Sequence, residues 1–245
     1  NNQININQLI KQAFELQRQG KRLEAAKYYS YLIKTGLKDY RIFSNYGTFL
    51  KEEGKYKEAE IELKKAITLN PRYANAYYNL AGISIDKGNL QQAEIFLRKA
   101  INLKSNFAIA HYNLGFILKD LGRLQEAELH THNALQINPH LSDAYFSLST
   151  LKNTIKDQKW QDRLFSENLL KNKDSRDLVN IFFARSNILH KNNKYQKSAE
   201  NLIAANNLKL KMHKSNASFL IKKTSELKKS LNNIQNNYQT SSNEP

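Results

Sequence analysis

A spacing of 34 residues constrains this chain more than any other feature. Gly20, Gly54, Gly88 and Gly122 stand 34 apart, and so do Ala25, Ala59, Ala93 and Ala127. Each glycine–alanine pair frames a short link, such as Gly-Lys-Arg-Leu-Glu-Ala at Gly20 and Gly-Lys-Tyr-Lys-Glu-Ala at Gly54. A period held over three steps without drift is an internal repeat. It fixes the architecture, because each unit buries its apolar face only against its neighbours. Thirty-four residues accommodate two helices of about four turns and two tight turns.

The period also sets a register. Counting the recurrent alanines as slot 20, slot 8 holds Ala13, Gly47, Ala81 and Gly115, and slot 27 holds Leu32, Ala66, Ala100 and Ala134. Small residues at slots 8, 20 and 27 let helices approach closely. Large residues at slots 4, 7, 11 and 24, such as Phe43, Tyr46, Leu50 and Leu63, fill the space between them. Pro71 and Pro139 at slot 32 stop one unit before the next begins. The slot-15 glycines suit the left-handed turn after the first helix.

Composition bounds the rest. The 245 residues are 40% hydrophobic, enough for a core in one or two domains. No cysteine is present, which removes disulfides and thiolate metal sites and fits the reducing cytoplasm. No apolar run is long enough to span a membrane and no signal-peptide core is found, so no membrane partner is expected. The sequence opens at Asn1 rather than Met, which leaves room for an upstream segment. The net charge is +16, and from Lys156 onward 17 Lys and Arg face 8 Asp and Glu. A basic surface attracts anions. Nucleic-acid recognition also needs a motif or base-stacking aromatics on that surface, and none is present. The charge therefore reads as a lysine-biased solvated surface, and nucleic-acid binding through the basic last third is the less favoured reading.

The pattern resembles the tetratricopeptide repeat, a family of helix–turn–helix units. The match is most specific over 40–141, with Asn70-Pro71 and Asn138-Pro139 closing two units. Residues 6–39 form a looser first unit. Departures are Thr131 at slot 24, Ser84 at slot 11 and His111 at slot 4. The resemblance implies an all-α fold: about six helix pairs in a right-handed superhelical tetratricopeptide-repeat solenoid with a C-terminal capping helix.

After Pro139 the frame loosens. Ala144, Tyr145, Leu148 and Ser149 continue it for one more first helix, and Lys156 replaces the turn glycine. Trp160, Leu164, Phe165, Leu169 and Leu170 predict one second helix with an apolar face. Residues 172–175 read as a turn and helix cap. Phe182, Ser186, Leu189, Tyr195, Ser198, Leu202 and Ala205 fall on the slots of a degenerate sixth unit. Its turn residue is Asn193, and asparagine is the next-best occupant of a left-handed position. Phe219, Leu220, Leu227, Leu231 and Ile234 give the amphipathic cap. The expected organisation is regular repeats over 1–155, degenerate helices and cap over 156–232, and a polar, disordered tail over 233–245.

Little in the sequence suggests catalysis. All eight glycines have repeat or turn positions, leaving none for a phosphate cradle. His130 and His132 are two apart on one helix and point to different faces, so the six histidines read as packing or surface residues rather than metal ligands. No nucleophile–base arrangement stands out. We therefore expect no cofactor, no metal and no enzymatic activity in this chain.

Two further ladders at the same period point to binding. Asn45, Asn79 and Asn113 occupy slot 6, and Tyr78, Tyr112 and Phe146 occupy slot 5. The family resemblance implies that first helices line a concave groove and that these slots face it. A carboxamide donates and accepts at once, so an asparagine row suits the backbone of an extended peptide. An aromatic row adds sequence-tolerant contact area. Phe116 at slot 9 joins the candidates, with Lys51, Lys119, Asp86 and Asp120 nearby. That mixed charge argues against a dedicated carboxylate clamp. The alternative for slot 6 is an asparagine that bonds its own helix or water, and for slot 5 an aromatic that packs. The expected partner is a protein or peptide segment in the groove.

A second resemblance covers 142–231. Residues 143–152, 183–186, 195–199 and 204–209 look like the end of the repeat half of bacterial tetratricopeptide–sulfotransferase fusions. That likeness implies a substrate-recruiting half whose covalently linked catalytic domain lies downstream. The donor-phosphate loop of such a domain is absent here, so no catalytic residue carries over.

Overall fold

The computed structural model describes residues 5–151 and 158–212, which form twelve α-helices and one short 3₁₀ turn without a strand. The expected capping helix over 219–234, the tail over 233–245 and the Lys156 turn lie outside the described residues. The chain forms two compact units, one up to residue 144 and the other from 145 onward.

The first unit stacks four helix pairs: α1 (Ile6–Arg18) with α2 (Arg22–Lys34), α3 (Tyr40–Glu52) with α4 (Tyr56–Leu69), α5 (Ala74–Asp86) with α6 (Leu90–Leu103), and α7 (Ala108–Asp120) with α8 (Leu124–Ile137). Helix α9 (Ser142–Thr150) follows, and its residues from Tyr145 onward belong to the second unit. The register explains the packing. Ala13, Ala25, Leu32, Ala59, Leu63, Ala66, Ala93, Leu97 and Ala100 are all sealed from solvent. At slot 8 a side chain has little room: a Cβ on Gly115 would lie 2.4 Å from the Thr131 hydroxyl and 3.0 Å from the Ala127 carbonyl. Thr131, in a slot otherwise filled by large side chains, is fully buried and donates its hydroxyl to that same carbonyl at 2.7 Å. A polar residue thus fits because its helix supplies the acceptor.

Turn chemistry follows the spacing. Gly20, Gly54, Gly88 and Gly122 all adopt φ between +73° and +76°. In each turn the following residue donates to a carbonyl in the last turn of the first helix, as Lys55 N does to Leu50 O at 2.9 Å.

The second unit holds α10 (Lys159–Phe165), the 3₁₀ turn Glu167–Leu170, α11 (Ser175–Lys191) and α12 (Tyr195–Met212). Asp174 caps α11 by accepting from Asp177 N. Asn193 takes the left-handed turn at φ 58°. Ser186 and Ser198, on slots 8 and 20 of the degenerate unit, lie 3.0 Å apart, and each donates to the other's backbone carbonyl.

One expectation fails here. The apolar run from Trp160 to Leu170 is not a single helix: α10 stops at Phe165, and Ser166 is extended with ψ 142°. The cause lies twenty residues downstream. Arg185 reaches in from α11, its Nε donating to Leu164 O at 2.8 Å and its Nη2 to Ser166 O at 3.0 Å. Those carbonyls are then satisfied from outside the helix, and the chain turns away.

Candidate functional site

Three first helices, α3, α5 and α7, bring four of the seven register-selected candidates to one pocket of about 290 Å³. Tyr78, Tyr112, Asn113 and Phe116 line it, joined by Lys51, Ile85, Asp86 and Gly82. The periodicity explains this: residues three or four apart share a helix face, and the same slots recur on the next helix. Phe116 is 43% exposed, while both tyrosines are half-buried. Tyr78 packs against Phe107, ring centres 5.1 Å apart. The Lys51 ammonium stands 4.0 Å from the Asp86 carboxylate and lies against Gly82, where a Cβ would approach it to 2.9 Å. A second pocket, one step earlier, includes Tyr29, Asn45, Thr48 and Phe49.

The asparagines have partners that the sequence did not reveal. Asn45 Nδ2 donates to the Tyr29 hydroxyl at 3.3 Å, Asn79 Nδ2 to Thr48 Oγ1 at 2.8 Å, and Asn113 Nδ2 to the Tyr78 hydroxyl at 3.3 Å. Each amide therefore tethers its helix to the preceding repeat through one N–H. A carboxamide has a second N–H and a carbonyl oxygen for other partners. Tyr29 also donates to Gln17 Oε1, which fixes it on α1.

Burial holds these phenols neutral. It pushes Tyr78 and Tyr29 up, each partly opposed by its asparagine donor. Tyr112 rises to about 12, from burial first and the Asp143 carboxylate second. At physiological pH all three are hydroxyl groups that donate and accept.

Of the other candidates, Phe146 belongs to the second unit, where its ring centre lies 6.0 Å from that of Phe183. Lys119 and Asp120 do not line the α3–α5–α7 pocket, whereas Lys51 and Asp86 do. Ile85 and Gly82 were missed. Their slots, 12 and 9, are those of Lys51 and Phe116, so the register alone carried the signal.

The fold also assembles a pair that spacing did not reveal. His111 on α7 and His130 on α8 meet Nδ1 to Nδ1 at 3.1 Å, and His111 Nε2 lies 3.2 Å from Ser105 O. A proton on His111 Nε2 satisfies that carbonyl and leaves its Nδ1 to accept from His130. Ring centres 5.3 Å apart mean that the two nitrogens face each other almost in line, as in a hydrogen bond. Burial pushes both imidazoles down. His130 falls to about 4, with His111 and Arg98 adding to the effect and Glu126 and Glu94 opposing it. Among the described residues no group of three or more His, Cys, Asp or Glu is disposed to hold a metal ion. Nor is any helix among them long and apolar enough to cross a membrane.

Residues 9–113 match the family model of the cilia and flagella-associated protein 70 middle TPR-like domain. Residues 108–141 match that of the tetratricopeptide repeat. No curated protein matches the chain. Among solved structures, PilF of Pseudomonas aeruginosa aligns over 90% of this chain and 97% of its own, at 13% identity and a TM-score of 0.63. MamA of Desulfovibrio magneticus aligns over 85% and 97%, at 14% identity and 0.52. YrrB, described as a TPR protein with an unusual peptide-binding site, aligns over 78% and 94%, at 18% identity and 0.52. At such identities the likeness is one of fold.

Proposed function

This chain is a tetratricopeptide-repeat protein, and from that premise we propose that it is an interaction scaffold holding an extended peptide segment in the groove of its first helices. The observation that carries this reading is the α3–α5–α7 pocket, where Tyr78, Tyr112, Asn113 and Phe116 converge. An apolar side chain of the ligand sits against Tyr78, Ile85, Tyr112 and Phe116. Burying one such side chain contributes about 1.5–3 kcal/mol before the cost of ordering the peptide. Asn113 meets the peptide backbone with its carbonyl oxygen and remaining N–H, and Asn79 and Asn45 repeat that contact one and two steps earlier. Lys51 and Asp86 form a loose ion pair of 4.0 Å on the pocket wall, a charge of each sign for the ligand to meet. The description of YrrB as carrying a peptide-binding site supports peptide as the ligand class.

The experiment is selection of peptides from a random library on the immobilised chain, with the Phe116→Ser variant in parallel. Enrichment of a shared apolar motif on the wild type, lost on the variant, supports the groove. Enrichment that is the same on both removes it.

A further inference from the structure

Another pocket, of about 410 Å³, lies wholly within the second unit, between α10, α11 and α12. That volume is in the range of small-molecule sites. Its lining shares no residue with the α3–α5–α7 pocket, so nothing in the peptide reading depends on it.

Arg185 sets its chemistry. The residue is only 8% exposed. Its Nε and Nη2 donate to the carbonyls of Leu164 and Ser166, which are neutral acceptors. The carboxylate that faces it, Glu167, is 4.0 Å from Nη1, beyond hydrogen-bond reach, and stands in solvent. A guanidinium presents five donors in a planar fork; here Nη1 makes no hydrogen bond to a described residue, Glu167 at 4.0 Å is its one carboxylate neighbour, and the Phe165 ring centre lies 5.8 Å from the guanidinium carbon. Burial pushes the guanidinium pKa down, with Glu167 opposing. A buried cation with neutral partners on one side is costly unless an anion completes it. Planar forks of this kind recognise carboxylate and phosphate groups.

The rest of the wall fits that role. Lys194 and Lys197 line the same pocket. Asp162 and Glu200 line it too, so three cations face two carboxylates. General positive charge therefore does not make this site selective; the buried fork does.

We propose that this pocket binds the oxyanion group of a small molecule, a carboxylate or a phosphate, with the Arg185 guanidinium as the fork and Lys194 and Lys197 as flanking ammonium groups. The test is calorimetric titration of the full chain with inorganic phosphate and with succinate, at constant ionic strength held by potassium chloride. Saturable binding of at least one probe is expected, weakened at least about tenfold in Lys194→Gln/Lys197→Gln. The melting temperature of that variant without ligand should match the wild type. The tighter probe identifies which oxyanion the site prefers. No saturable binding of either probe, or equal binding by the variant, overturns the proposal. Arg185→Lys keeps the charge and removes the fork. If it gives a native circular dichroism spectrum and still binds as the wild type does, the role given to Arg185 is wrong.

Discussion

The side-chain amide of Asn113 donates to the hydroxyl of Tyr78, 3.3 Å away and one repeat earlier. The bond joins α7 to α5 at the wall of the candidate groove and orders the phenol that a ligand would meet. A neutral hydrogen bond of this kind contributes about 1 kcal/mol. In a double-mutant cycle of Asn113→Ala and Tyr78→Phe, denaturant unfolding should give a coupling energy of about 0.5–1.5 kcal/mol. A coupling of zero means that the bond adds nothing to the fold.

Gly115→Ala should destabilise by about 1–3 kcal/mol, because its Cβ has no room beside Thr131 and Ala127. Gly115→Ala/Thr131→Ser keeps the hydroxyl at 2.4 Å from that Cβ and should not recover the loss. Thermal unfolding of the single and double variants checks this. An unchanged midpoint in the single variant contradicts the close α7–α8 crossing.

The His111–His130 pair predicts a stability loss on mild acidification. Unfolded, each imidazole titrates near 6.5; folded, both sit lower, His130 at about 4. The native state then binds fewer protons than the unfolded state. The stabilisation is complete above pH 6.5 and is lost as pH falls toward 4. The groups facing His130 are His111 on α7, Arg98 and Glu94 on α6 and Glu126 on its own helix. The acidic partners Glu94 and Glu126, whose pKa values are also lowered, lose their contribution only below about 4.5, under the range from pH 7.5 to pH 5. The loss should be on the order of 1–2 kcal/mol after screening at the partly open edge of the pair. Denaturant unfolding at pH 7.5 and pH 5 should show it, and His111→Phe should flatten the dependence. An equal pH effect in wild type and variant places its origin elsewhere.

Ser186 and Ser198 offer a test of the degenerate repeat. Ser186→Ala leaves a buried Ser198 hydroxyl with fewer partners and should cost about 1 kcal/mol. Ser186→Ala/Ser198→Ala should cost less than the sum of the two single changes, because both hydroxyls then leave together. It also reproduces the Ala81 and Ala93 pair found on the same slots three repeats earlier. Strict additivity in unfolding free energy would show that the two side chains are independent.

What the sequence made legible is what a constant period can encode. Slot 15 predicted the left-handed turns, down to Asn193 where glycine is gone. Slots 8 and 20 predicted which small residues meet, including Ser186 and Ser198. Tyr78, Tyr112, Asn113 and Phe116 line one pocket because equal slots on successive first helices face the same way. The rest depended on contacts between slots, which a period does not encode. The break after Phe165 comes from an arginine on another helix. The histidine pair needs α7 and α8 to cross at one height, since His111 and His130 are 19 apart in sequence. The asparagine tethers reach back 16, 31 and 35 residues to acceptors in three different slots.

The central claim is that partners are held on the first-helix face rather than the outer one. Its most direct test is the affinity of a library-selected peptide for three proteins by fluorescence anisotropy: wild type, Phe116→Ser and Ile61→Ser. Ile61 is 53% exposed on the second helix α4 and lines neither pocket of the first unit described above. The account predicts at least about a tenfold loss for Phe116→Ser and none for Ile61→Ser, with melting temperatures unchanged. Full binding by Phe116→Ser together with a loss for Ile61→Ser would contradict it and move the partner to the outer face.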